Sequence, residues 1–358
     1  VDESEKGNGS AYRLANGVII SDESPHITGT SPKLCRPSTA PTPYYSSVLQ
    51  ILFSYYKSNS KDVNDAKNEL TLSLDKTYEL YMLLLRLAVE VSDYAKTRKE
   101  SIAKRCQMAG DANFDSGEKI PADFLAENKV AQQLAENETL NKFLEEHKLS
   151  WNKHPEIINS LYAEALTSQA YETAEASERD YDCDRRFLRG FYKSVVTSNK
   201  MLTEELEGMS IYWNDDTETV ISFIMKTIAR YEETTPNDYE LMPKFSDPTD
   251  ETFALTLLTK VIYNQAEYDE LIMTHIKNWD KERIAFMDKI ILQTAIAELF
   301  AFPHIPIVVT MNEYVELSKY YSTPRSSTFI NGVLDAIVKD LKEQNKLTKV
   351  AVITPKTR

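Results

Sequence analysis

The sequence predicts an all-α fold, and the clearest evidence lies between residues 279 and 342. Apolar residues recur there at a helical period, as at Ile284, Met287 and Ile291. Proline interrupts the pattern at Pro303 and again at Pro324, where a helix cannot continue. Helices joined by such short connections are typical of half a helical bundle.

We expect a polar cap at the start of each of these helices, because a side-chain oxygen can accept the unpaired backbone N–H groups of the first turn. Gly332 lies inside the last helix, at a cost of about 1 kcal/mol in helix propensity. A glycine placed there predicts the close approach of another backbone or a ligand. The expected caps are Asp280, with Trp279 stapled against Ile284; Thr310, with Glu313 in a capping box; and Ser326 or Ser327.

Helical periodicity also runs through the rest of the chain. The longest stretch covers residues 63–105, and its segment 83–87 is apolar nearly all round, which predicts a central helix. Asn137 is expected to cap or break a pair of shorter helices. The other helices are predicted at 44–58, in 122–149, at 180–198, from Met201, and at 215–231, followed by a polar linker at 234–248.

Residues 1–43 differ from the rest of the chain in composition. They hold five of the fourteen prolines and four of the nine glycines, and they show no sustained period. Such a segment lacks the apolar surface needed to form a core. We expect a disordered or non-native leader.

Composition otherwise indicates a soluble globular protein, with 42% hydrophobic and 27% charged residues. Three scattered cysteines are too few for a disulfide framework and fit a reducing cytoplasm. The chain contains no run of about 18 apolar residues, so we expect no membrane span. The first residues lack the features of a signal peptide. The expected location is the cytoplasm.

The net charge of −14 argues against nucleic-acid binding through bulk electrostatics. The charge is uneven, however. Residues 122–188 hold fourteen acidic and seven basic side chains. Residues 339–358 hold two acidic and six basic side chains. A local RNA-facing patch near the C-terminal half and a merely solvated basic tail both remain open.

No pattern of catalytic or metal-binding residues stands out. The chain contains no Gly-rich phosphate loop, no Cys-x-x-Cys pair and no His-Glu-x-x-His motif. Asp180, Asp182 and Asp184 alternate, but on a helix they would spread around a solvated surface. Glu23-x-x-His26 lies in the leader and is discounted. We therefore expect a non-enzyme without a metal or cofactor.

An ordered series of short motifs runs through the C-terminal part, with a further match at 48–55. The series extends back to about Asp247 through Phe253-Ala254…Leu257-Leu258…Val261…Asn264…Tyr268…Leu271-Ile272. The motifs are Asp288…Ile291-Leu292…Ala295…Glu298-Leu299, then Ile305-Pro306, then Asn312-Glu313-x-Val315-Glu316-Leu317-x-Lys319, then Phe329-Ile330-Asn331-Gly332-Val333-Leu334-Asp335. Together they resemble the NusB family of transcription antitermination factors, in the long version typical of Bacteroidetes-type bacteria.

The resemblance implies NusB-like helical bundles with a large helical insertion after the first helices. It divides the chain into four parts. These are the leader at 1–43, an N-terminal helical domain with inserted helices at 44–246, a NusB-like C-terminal bundle at 247–342, and a basic tail at 343–358.

The resemblance also implies a function. Family members bind boxA-type RNA together with NusE, a small-subunit ribosomal protein, within the RNA polymerase antitermination complex, and they support processive ribosomal RNA transcription. The alternative is a non-catalytic scaffold of the same fold with weak or no RNA binding. The net charge favours this alternative. The absence of arginine from residues 39–45, where relatives usually carry arginines, favours it too.

Seven site residues follow from the resemblance. On the RNA side, Lys289 would contact phosphate, Gln293 would replace a usual arginine and reach a base edge, and Arg325 would add a cation beside Ser326. Phe329 would stack on an unpaired base or pack in the core. On the NusE side, Phe53 would contact the partner or belong to the core, and Asp288 would lie near the contact or form a surface salt bridge.

Overall fold

The computed structural model describes residues 11–13, 19–21, 43–58, 61–109, 117–213, 216–245, 249–276, 284–347 and 349. Nearly all of this is helical. The α-helices are α1 Pro43–Lys57, α2 Val63–Ala109, α3 Asp123–Ala126, α4 Lys129–Glu136, α5 Glu138–Glu146, α6 Pro155–Leu166, α7 Gln169–Glu175, α8 Tyr181–Gly190, α9 Lys200–Met209, α10 Thr217–Arg230, α11 Thr249–Tyr263, α12 Gln265–His275, α13 Phe286–Ala301, α14 Ile307–Tyr321 and α15 Ser326–Glu343.

Four smaller elements complete the secondary structure of the described part. A π-helix, Phe191–Val196, continues α8, and a 3-10 turn, Ile211–Trp213, precedes α10. Strands β1 Ala11–Arg13 and β2 Ile19–Ser21 pair antiparallel. This hairpin was not predicted, and the rest of the expected leader lies outside the described residues. No described helix has the length and apolar character that crossing a membrane requires.

The structure confirms the all-α prediction, but several helices begin at residues other than the predicted ones. Asn137 caps α5 as expected, since its side chain accepts from the Leu140 N–H at 2.9 Å. The capping box at Thr310 is wrong, because Pro306 occupies the N-cap position of α14 and Thr310 lies inside the helix. Ser326 is the first residue of α15 rather than its cap. Helix α13 begins at Phe286, and the expected Trp279–Asp280 staple and cap lie outside the described residues.

The chain divides into two compact units. The terminal unit comprises residues 1–74 and 245–358, and the inserted unit comprises residues 75–244. The second boundary lies close to the predicted break after residue 246. The first boundary falls inside α2, after Leu74, where helical periodicity continues and gives no signal. The expected large helical insertion is therefore present.

In the terminal unit, α13 lies at the centre of the core. Every residue from Ile290 to Leu299 is buried, on all sides of the helix. Apolar residues from α1, the start of α2, α11, α12, α14 and α15 belong to the same hydrophobic cluster. Burial of this kind is worth about 25 cal/mol per Å² of apolar surface, so packing around α13 provides most of the driving force for this unit.

A buried acidic group lies at the end of α13. Glu298 is fully buried and accepts a hydrogen bond from the Tyr314 hydroxyl at 3.0 Å. Burial raises the pKa of Glu298, and the neighbouring hydroxyls of Thr310 and Tyr45 offset part of that rise. On α14, burial and the nearby Glu298 charge raise the pKa of Glu313 from 4.5 to about 7.

In the inserted unit, the rest of α2 plays the central role. Residues Leu80 to Leu85 are all buried. The indole N–H groups of Trp151 and Trp213 donate to α2 backbone carbonyls, to Leu83 at 2.9 Å and to Lys76 at 2.7 Å. These bonds satisfy buried polar groups and fix two surrounding segments against one helix.

The three alternating aspartates of α8 do not share one solvated face. Asp180 is the N-cap and accepts from the Cys183 N–H at 2.6 Å, while Asp182 is exposed. Asp184 is buried and accepts from the Lys129 N–H at 2.9 Å. The expectation of a solvated surface is wrong for Asp184, because this carboxylate helps fix the start of α4.

We predict opposite effects for two glycine substitutions in the inserted unit. A Cβ at Gly190 would lie 2.7 Å from the Cβ of Ala170, so Gly190→Ala should destabilise the protein by about 1–3 kcal/mol. A Cβ at Gly208 in α9 would meet nothing within 4 Å, so Gly208→Ala should stabilise it by about 0.5–1 kcal/mol. Urea unfolding of both variants measures the difference, and equal effects would contradict the packing described.

The expectation that another backbone approaches Gly332 is wrong within the described structure. Gly332 is exposed on α15, and a Cβ there would meet nothing within 4 Å. No other part of the described chain therefore requires a glycine at this position.

We predict a pH-dependent gain in stability for Glu313→Gln. A carboxyl whose pKa is raised on folding contributes stability below pH 4.5 that is lost as the pH rises to about 7. The glutamine variant should therefore be more stable than the parent by about 1–3 kcal/mol at pH 8, with a smaller difference at pH 5. Urea unfolding at both pH values measures this. Glu270→Gln, at an exposed position of α12, is the matched control, and a pH-independent gain would refute the assignment.

Candidate functional site

Two partly exposed phenylalanines meet on the surface of the terminal unit. Phe53 of α1 is 42% exposed, and Phe286, the first residue of α13, is 37% exposed. Their ring centroids are 5.4 Å apart with the planes at 72°. Lys57 Nζ lies 4.3 Å from the Phe286 ring centre and 5.9 Å from that of Phe53. We call Phe53, Tyr56, Lys57 and Phe286 the aromatic patch.

The patch arises from simple helical spacing. Phe53, Tyr56 and Lys57 are related by three and four positions on α1, so they share one face of the helix. The Tyr56 ring lies 6.4 Å from that of Phe286, and burial raises the pKa of its hydroxyl. The structure therefore places Phe53 at the surface, and the alternative of a core phenylalanine is wrong.

A cavity of about 410 Å³ adjoins this patch in the terminal unit. Its lining combines aromatic rings, two lysines and two glutamines. Lys61 Nζ donates to the Tyr55 carbonyl at 2.6 Å and lies 5.0 Å from the Tyr55 ring. The lining residues are Tyr55, Tyr56, Lys61, Ile262, Gln265, Phe286, Lys289, Ile290 and Gln293.

Lys289 and Gln293 lie four residues apart on α13, and both contact the carboxylate of Asp269. Lys289 Nζ forms a 2.9 Å ion pair with Asp269 Oδ2, and Gln293 Nε2 donates to Asp269 Oδ1 at 2.6 Å. The Lys289 side chain is 40% exposed, whereas Gln293 is fully buried. The expectation that Gln293 reaches a base edge needs correction, because its amide is enclosed by the protein.

The other three RNA-side candidates lie together at the start of α15. Arg325 is exposed and forms no ion pair within the described residues. Ser326 is buried, and its hydroxyl accepts from the Thr323 N–H at 3.1 Å. Phe329 is 6% exposed and belongs to the terminal core. Ser326 and Phe329 therefore hold the turn that presents Arg325, instead of offering a hydroxyl or a stacking ring at the surface.

Asp288 lies in the first turn of α13, where a negative charge is favoured by the helix dipole. It is only 5% exposed, and its Oδ1 has no hydrogen-bond partner among the described residues. The alternative of a surface salt bridge is therefore not what the structure shows. A buried carboxylate oxygen without a donor is costly, so this position would gain from a partner group that donates to it.

The structure thus assembles part of the expected site and adds residues that were not expected. Phe53 and Lys289 lie on the side of the patch and cavity, while Arg325 stands at the start of another helix. Phe286, Tyr56, Lys57 and Lys61 were missed. The helical spacing of residues 53, 56 and 57 would have found the α1 members. Phe286 carries no such signal, because α13 is buried on all sides and has no apolar stripe that separates exposed from buried positions.

Comparison with known proteins identifies the family. The family model described as "NusB family" matches residues 222–339. A transcription antitermination protein NusB from Salinibacter ruber is 39% identical over 132 residues, which is 35% of this chain and 82% of the relative. One from Dictyoglomus turgidum is 44% identical over 110 residues, covering 30% of this chain and 76% of the relative.

Two further matches are more limited. A NusB from Chloroherpeton thalassium is 38% identical over 97 residues, covering 27% of this chain and 46% of the relative. A solved structure of T. maritima NusB shares 28% identity and has a TM-score of 0.26, covering 40% of this chain and 92% of its own. From the sequence relatives, the chain belongs to the NusB family.

Proposed function

We propose that this protein is a transcription antitermination factor that acts by binding RNA and a protein partner, and not by catalysis. The relatives named transcription antitermination protein support this role. The observation that carries the proposal is the aromatic patch beside the first turn of α13. Phe53 and Phe286 are both partly exposed and in contact, and contiguous apolar surface of this kind supports a protein-interaction site.

The partner proposed for the patch is NusE, the ribosomal protein that family resemblance implies. Aromatic side chains dominate the binding energy of protein interfaces when a partner removes them from water. Phe53 and Phe286 contact each other, so one apolar group of the partner can cover both rings. Lys57 adds a cation that an acidic partner residue can pair with at the rim.

The proposed RNA ligand is of the boxA type, bound through phosphate contacts that position the backbone without reading its sequence. Arg325 and Lys289 are the cations of the expected site that remain exposed. They differ in availability, because Lys289 is already paired with Asp269 whereas Arg325 has no ion pair within the described chain. We therefore expect Arg325 to contribute more to RNA affinity than Lys289.

The second candidate function is a scaffold of NusB fold with little RNA affinity. The net charge of −14 favours it. The burial of Gln293 and Phe329 favours it further, since neither side chain can contact a base without a change in the core. This candidate predicts a partner complex without RNA binding, and the experiments below separate the two.

For the protein interface, we predict that Phe53→Ala and Phe286→Ala each weaken the NusE complex by about 2 kcal/mol, or roughly 30-fold in Kd. Titration calorimetry with purified NusE measures this. Phe300→Ala is the matched control, because Phe300 is a 36% exposed phenylalanine at the other end of the same helix. Unchanged affinity in the first two variants, with circular dichroism showing an intact fold, would move the interface elsewhere.

For the RNA interface, we predict that Arg325→Ala lowers affinity for boxA-type RNA and reduces the slope of log affinity against log salt by about 0.7–0.9. Lys289→Ala should have a smaller effect. Fluorescence anisotropy at several salt concentrations, with and without NusE, measures both. Arg189→Ala, which removes an exposed arginine of α8 outside the basic segment at 339–358, is the control. Absence of RNA binding by the parent in all these conditions would favour the scaffold.

A further inference from the structure

Three metal-ligating side chains converge in the inserted unit, and none of them belongs to the candidate site described above. His154 Nδ1 lies 3.2 Å from Glu205 Oε1 and 3.9 Å from Glu156 Oε1. One donor atom from each of the three residues lies within 4.8 Å of the others. Because His154 and Glu205 are far apart in sequence, no spacing motif marks this group.

The backbone that carries these side chains is well fixed. His154 occupies the N-cap position of α6, where its N–H donates to the Trp151 carbonyl at 2.9 Å. Its ring stands edge-on to the buried Trp151 indole, with centroids 6.2 Å apart. The imidazole is only 20% exposed, so its direction is set by packing and not by solvent.

Glu205 lies on α9, and one residue ties α9 to α6. The Asn199 side chain caps α9 by accepting from the Leu202 N–H at 2.8 Å. The same side chain donates through Nδ2 to Ser160 Oγ at 2.8 Å and to Glu164 Oε1 at 2.7 Å, both on α6. The two helices that supply the donors are therefore held together independently of the donors themselves.

Two carboxylates, those of Glu156 and Glu205, face one imidazole nitrogen, which can carry only one proton. A proton on Nδ1 can form a hydrogen bond to Glu205 Oε1 at 3.2 Å, but not also to Glu156 Oε1 at 3.9 Å. A metal ion with bonds of about 2.0–2.2 Å to nitrogen and oxygen separates tetrahedral ligands by roughly 3.4 Å. The distances of 3.2 Å and 3.9 Å from His154 Nδ1 to the two carboxylates lie on either side of that value.

We propose that His154, Glu156 and Glu205 form a binding site for a divalent transition-metal ion, with Zn²⁺ as the ion of choice. One nitrogen and two carboxylate oxygens suit Zn²⁺, whose affinity for such donors exceeds that of Mn²⁺ and Fe²⁺. Water would fill the fourth position. The ion would join the start of α6 to α9 and so stabilise the inserted unit, and this inference does not depend on the proposed function.

The test is calorimetric titration of the full-length chain with ZnCl₂ at pH 7.5, repeated with CoCl₂ and followed by visible absorption. The parent should bind one ion at this site, and Zn²⁺ should raise its unfolding temperature. His154→Ala and Glu205→Gln each remove a direct ligand of the ion. Each should therefore weaken Zn²⁺ binding by more than the roughly 10- to 100-fold caused by losing a residue that only hydrogen-bonds to a ligand. His147→Ala and Glu204→Gln change the same residue types at neighbouring positions outside the group and should bind like the parent.

Two results would overturn the site. One is equal Zn²⁺ affinity in the parent, His154→Ala and Glu205→Gln, which would assign any bound zinc to other residues. The other is no heat of binding and no cobalt absorption band in the parent, which would leave an ordinary ion pair between His154 and Glu205. Circular dichroism of each variant shows whether the fold is retained, and Glu156→Gln provides a third ligand variant at an exposed position.

Discussion

The burial of α13 on all of its sides is the constraint on which the terminal unit depends. From Ile290 to Leu299 the helix has no face in water, so these positions can serve only packing or internal hydrogen bonds. Gln293 is therefore held by Asp269 inside the protein, and Glu298 by Tyr314. The first turn is different, because Phe286 and Lys289 reach the surface there. The last turn also presents Phe300, so side chains of α13 reach the surface at its two ends and not in its middle.

This constraint also explains how the candidate surfaces are built. The exposed end of α13 brings Phe286 against Phe53 of α1, so residues distant in the sequence form one aromatic patch. At the start of α15, the buried Ser326 and Phe329 fix a turn that leaves Arg325 in water. The residues proposed as functional thus stand at the ends of helices whose middles are committed to the core.

Much of the fold could be predicted from the sequence, because helical periodicity and proline breaks are local signals. They located α2 and the Asn137 cap, and motif order indicated a helical insertion. The predictions that failed concern residues whose burial is set by tertiary contacts. Gln293 looks like a surface residue in the sequence, but packing of neighbouring helices buries it. Asp184 alternates with exposed acids, yet it receives an N–H from another helix. The unit boundary after Leu74 lies in unbroken helix and leaves no mark in the sequence.

The central claim is that partners meet the terminal unit at Phe53 and the first turn of α13, which hydrogen exchange tests directly. The first amides of a helix lack intrahelical acceptors and exchange quickly when free. Exchange measured by mass spectrometry, with and without NusE and boxA-type RNA, should show strong new protection in peptides covering residues 284–289. A smaller gain is expected at residues 50–57, whose amides are already hydrogen-bonded within α1. Protection confined to peptides from residues 75–244, with none at these two segments, would contradict the account.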